Sequence, residues 1–133
     1  MNEPPPNPQL PAKPETSGST DPAVAARMKT MLAQIWRNSE ATLFERIAAI
    51  QKAEEQMREG DLSEDQREAA RAAAHKLAGV LGTFGLPRGT ELARGVEARL
   101  QPGELAGPAD AGKLAILIEE LDSLVKAKSL EVG

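Results

Sequence analysis

One stretch of the chain holds residues that could do chemistry. AAAHKLAGVLGTFGL, residues 72–86, contains the only histidine, His75, with Gly79 and Gly82 at i+4 and i+7. An imidazole is a nucleophile, a proton carrier and a metal ligand. Each mid-helix glycine weakens a helix by roughly 1 kcal/mol relative to alanine, so two of them beside a lone histidine need a reason. Most chemistries fail on composition. With one histidine and no cysteine, the usual His- or Cys-based metal sites cannot be built, and the expectation is no metal and no bound cofactor. A serine triad lacks its GxSxG context, and no Gly-rich phosphate loop stands at a strand–helix junction. The carboxylate pairs Glu54-Glu55 and Glu119-Glu120 read as solvated helix faces. An exposed imidazole without further catalytic groups suits one task, accepting and donating a phosphoryl group.

The element that must position His75 is a helix. Ser63 followed by Gln66 forms a capping-box pattern at its start, and Gly85 ends it after about Phe84. At about 100° per residue, Ala70, Ala73, Ala74, Val80, Leu81 and Phe84 cluster around Leu77 as the core stripe. His75 falls about 160° from Leu77 and points to solvent. Glu68, Ala72, Gly79 and Gly82 share that outer face, with Arg71 near its edge and Lys76 and Ala78 on opposite flanks. The glycines are then expected to touch no buried neighbour, leaving a smooth face over which a partner's backbone can approach the imidazole. The competing reading is an ordinary surface histidine with incidental glycines.

Three more helices complete the pattern. Asp21-Pro22 reads as an N-cap and first-turn proline. Met28, Leu32, Ile35, Leu43, Ile47, Ile50 and Met57 follow at helical spacing, with Trp36 and Phe44 alongside. The polar RNSEAT, residues 37–42, leaves open one long helix or two, and Gly60 caps the end. Pro87 opens a helix with Leu92, Ala93, Val96 and Leu100 on one face. After the loop QPGELAGPAD, a fourth runs from about Ala109 to Lys128, with Leu114, Leu117, Ile118, Leu121, Leu124 and Val125 on helical spacing. No β-type alternation occurs. The fold expected is all-α, an antiparallel four-helix bundle over 21–133. Residues 1–20, rich in Pro, Ser and Thr, form an expected disordered tail.

Sixteen basic and twenty acidic residues give a net charge of −4, a poor basis for nucleic-acid binding. No apolar run approaches the roughly 20 residues that span a bilayer, and the first residues lack a signal-peptide core. A cytoplasmic monomer that binds neither nucleic acid nor membrane is the expectation.

AHKLAGVLGTFGL resembles the phosphorylation helix of histidine-containing phosphotransfer (HPt) domains: a histidine, then a hydrophobic residue at +2, a glycine at +4 and often another at +7, here His75, Leu77, Gly79 and Gly82. ELARGVE downstream is similar to the family's following helix, and the resemblance spans about residues 25–127. It implies that His75 accepts a phosphoryl group from a receiver-domain aspartate and passes it to another receiver, as a phosphocarrier rather than an enzyme, without binding ATP. It also implies that the receiver brings the Mg²⁺, and that partners are response-regulator receiver domains, with a hybrid sensor kinase as a further candidate. The docking face then comprises Ala72, Ala78, Gly79 and Gly82. Many family members carry lysine at +3, where Ala78 stands, so Arg71 and Lys76 become the candidate phosphate-stabilising cations. Two rival readings remain, a helical adaptor that binds a receiver or other signalling partner without carrying phosphate, and an unrelated dimeric bundle.

Overall fold

The structure, a computed structural model, describes residues 21–103 and 108–133; the expected tail, 1–20, lies outside them. Four helices follow in order, α1 (Pro22–Arg58), α2 (Glu64–Thr83), α3 (Pro87–Arg99) and α4 (Pro108–Val132), with no strand among the described residues. Two units divide the chain, the first ending at Ile35 and the second running from Trp36 to Gly133.

Local chemistry sets the helix ends. The Asp21 carboxylate accepts from the Ala23 amide at 3.0 Å, which occupies an otherwise orphaned first-turn donor. The Ser63 hydroxyl accepts from the Gln66 amide while the Gln66 side chain accepts from the Ser63 amide, so the expected capping box forms. α1 and α2 close in the same way. Gly60 and Gly85 take φ of +76° and +69°, a left-handed conformation that costs a glycine little. Their neighbours Asp61 and Leu86 donate back to Gln56 and Leu81, 2.8 and 3.0 Å away. These are Schellman closures, and the second turns the chain from α2 into α3 within a few residues.

The second unit is an antiparallel four-helix bundle. Trp36 near the start of its α1 segment meets Ser129 near the end of α4, Arg67 early in α2 meets Leu100 just past α3, and Arg88 at the start of α3 meets Glu120 in α4. Its core runs through Leu43, Ile47, Ile50, Leu77, Leu81, Leu92, Val96, Leu114, Ile118, Leu121 and Val125. All four apolar residues predicted for one face of α3 are buried.

One open alternative closes and one expectation changes. RNSEAT breaks nothing: α1 is a single helix of 37 residues, because Trp36, Leu43, Ile47 and Ile50 keep a buried stripe in step across the polar segment. Met28, Leu32 and Ile35 belong to no core. They lie in the first unit and are 58%, 45% and 46% exposed. Periodicity marks an apolar face but not whether anything covers it. No helix among the described residues is long and apolar enough to cross a membrane.

Candidate functional site

His75 stands in the middle of α2 with 71% of its side chain exposed, as the projection required. The helix beneath it buries Ala70, Ala73, Ala74, Leu77 and Leu81; Val80 and Phe84 are half-buried against the same core. The imidazole is therefore held by its backbone and by one partner that sequence reasoning missed. Glu97, on α3, places Oε2 3.0 Å from His75 Nδ1. An ionised carboxylate only accepts hydrogen bonds, so Nδ1 carries the proton and donates. In the neutral imidazole the lone pair is then on Nε2. This pair fixes both the tautomer and the ring, as a carboxylate does for many reactive histidines.

Arg67 sets the register that brings the two residues together. Its side chain is buried, and it donates to the Leu100 carbonyl at the end of α3 and to the Glu64 carboxylate. That hydrogen bond from Arg67 holds the Glu64 carboxyl below the usual carboxylate range. At the other end, the Thr90 hydroxyl donates to the Ala78 carbonyl at 3.1 Å. Between these pins α3 runs antiparallel to α2, and Glu97 arrives beside His75.

The proposed cations separate sharply. Arg71 is committed: it donates to Glu68 from Nη2 at 2.7 Å and from Nε at 2.9 Å, and to Glu97 from Nη1 at 3.3 Å. The hydrogen bond from Arg71 pushes the Glu68 carboxyl down and, in return, the guanidinium up. Glu97 thus bridges Arg71 and His75. Lys76 is exposed and enters no ion pair among the described residues.

The docking-face residues divide as well. Gly79 and Gly82 are exposed and Ala72 is half-buried. Ala78 is 6% exposed and does not belong to that face. α3 packs along this flank, which widens the buried arc of α2 beyond a stripe centred on Leu77. Gly82 also departs from expectation, since a Cβ there would stand 3.3 Å from Thr90 Oγ1, while one at Gly79 would meet nothing within 4 Å. Gly79→Ala should therefore stabilise the protein by up to about 1 kcal/mol, and Gly82→Ala by clearly less, because Thr90 must give way. Urea unfolding of the two variants checks the order. Equal gains would mean that Thr90 moves freely.

Comparison with curated proteins and with solved structures gives no significant match. The family model described as Hpt domain matches residues 31–127, which takes in all of α2 and α3, and His75 with Glu97. That match covers well over half of the sequence, and the chain belongs to the Hpt domain family, phosphocarrier modules of two-component phosphorelays that interact with response-regulator receiver domains.

Proposed function

We propose that His75 is the phosphoacceptor, taking a phosphoryl group from a receiver-domain aspartate and passing it to a second receiver. The observation that carries this reading is the Nδ1–Glu97 pair on a mostly exposed ring, which in the neutral imidazole leaves the lone pair on Nε2 for an incoming phosphoryl group. Nε2 attacks phosphorus in line, and an N–P bond forms as the acyl-phosphate O–P bond breaks. The aspartate carboxylate leaves with the bonding pair. The ring gains positive charge as its lone pair is used, and the Glu97 carboxylate, already on Nδ1, stabilises that charge. Onward transfer reverses the roles: an aspartate oxygen attacks and Nε2 leaves with its pair. The Mg²⁺ belongs to the receiver, and this chain supplies position and an oriented nucleophile. The face formed by Ala72, Gly79 and Gly82 receives the receiver's backbone.

Incubation with phosphorylated receiver domains tests the reading. Acid-labile, alkali-stable phosphate should appear on this protein and leave it when an unphosphorylated receiver is added. Stable binding to a receiver with no phosphate transferred would establish the adaptor function instead.

A further inference from the structure

We propose that Arg94, on α3, is the cation that meets the phosphoryl group on His75; the assignment rests on His75 being the phosphoacceptor. The need comes from charge. The imidazole meets the Glu97 carboxylate, and the one guanidinium that shares this carboxylate, Arg71, is also bound to Glu68. A phosphoryl group adds between one and a half and two negative charges, by analogy with phosphorylated side chains (about −1.5 to −2 at neutral pH). Arg71 keeps further N–H groups, but its charge already faces both carboxylates.

Arg94 is exposed and makes no ion pair or hydrogen bond among the described residues. Its place follows from the two contacts that fix α3 on α2. Thr90 lies against Ala78 and Gly82, and Glu97 against Arg71 and His75. Arg94 is four residues after Thr90 and three before Glu97, on the same stripe of α3. It stands about 4.5 Å along the axis from Glu97, roughly level with Gly79. Lys76, the cation of α2 without an ion pair, leaves that helix from the flank opposite Ala78, away from α3.

Arg94 lines a groove of about 480 Å³ together with Gly82, Thr90 and Glu91. The Glu91 carboxylate is taken by Arg88 at 2.5 Å and does not hold Arg94 there. Gly85 and Pro87 complete the groove and the imidazole does not line it, so the guanidinium reaches Nε2 by leaving the groove with a change of rotamer across Gly79, where even a Cβ would meet nothing within 4 Å. A side chain at position 79 would stand in that path, which gives the glycine a use beyond admitting a partner. The planar fork of arginine matches two phosphoryl oxygens at once.

A small phosphoryl donor, potassium phosphoramidate, tests the assignment without a receiver, so docking does not enter. On the full-length protein the donor should phosphorylate His75. Arg94→Ala should lower the initial rate about tenfold, the order expected for one charge-assisted contact. Arg94→Lys should fall between, and Lys76→Ala should match wild type. The ³¹P resonance of the phosphohistidine should move in Arg94→Ala and stay in Lys76→Ala. An Arg94→Ala protein with wild-type rate and resonance overturns the assignment and leaves the reading of His75 standing. Equal, salt-suppressed losses in Arg94→Ala and Lys76→Ala also overturn it, in favour of diffuse surface charge. Wild-type protein that takes no acid-labile phosphate removes His75 as acceptor, and the role of Arg94 with it.

Discussion

His75→Gln is expected to abolish phosphoryl acceptance while leaving the helical bundle intact. The chain has no second histidine to take over, and glutamine offers an amide nitrogen without a nucleophilic lone pair. The side chain is mostly exposed and packs into no core, and glutamine is at least as good a helix former as histidine. The one contact at risk, to Glu97, is an exposed hydrogen bond of the kind worth up to about 1 kcal/mol, and the glutamine amide can donate in its place. Unfolding free energy should therefore stay within about 1 kcal/mol of wild type, with unchanged helical circular dichroism, while transfer from a phosphorylated receiver falls below detection. Receiver binding should persist in this variant. Phosphate that still arrives on the His75→Gln protein would move the acceptor elsewhere and undo the functional reading.

Much of this site was legible in the sequence because it depends on local rules. The outward aim of His75 follows from helix geometry around Leu77, and both ends of α2 follow from Ser63, Gln66 and Gly85. Glu97 was visible only as the last residue of an acidic, small-residue pattern. Its pairing with His75 spans 22 positions and depends on the register of α3 against α2. That register is set by Arg67 and Thr90, whose partners are backbone carbonyls and carry no sequence signal. The same packing explains Ala78. A single-stripe projection assumes one neighbour on one side, whereas α2 is covered over a wider arc. The exposed Met28, Leu32 and Ile35 show the converse. Their spacing matches that of Leu43, Ile47 and Ile50, and only the fold tells the covered residues from the uncovered ones.

Trp36→Ala should produce the largest loss of stability of any single substitution considered. The indole is fully buried in the second unit. Its ring meets Phe84 edge-on, with centroids 4.9 Å apart and planes at 80°, and its Nε1–H donates to Ser129 Oγ at 3.0 Å. One side chain thus ties α1 to the end of α2 and the last turns of α4. Truncation removes the transfer energy of a large ring and leaves a cavity, together about 3–5 kcal/mol. Against a total stability of about 5–15 kcal/mol, the melting temperature should fall by roughly 10–20 °C. Trp36→Phe separates the causes: it keeps an aromatic ring against Phe84 and loses the hydrogen bond, so it should cost clearly less, with about 1 kcal/mol of its loss from the missing bond. If the two variants lose equal stability, the Ser129 bond rather than ring packing holds these helices together. The site should tolerate the change below the lowered transition. His75 and Glu97 are positioned by contacts between α2 and α3 that do not include the indole, so Trp36→Ala protein kept well below its melting temperature should still accept phosphate at His75. Loss of acceptance under those conditions would mean that the Trp36–Phe84 contact also governs the turn at Gly85 and, through it, the register that brings Glu97 to the imidazole.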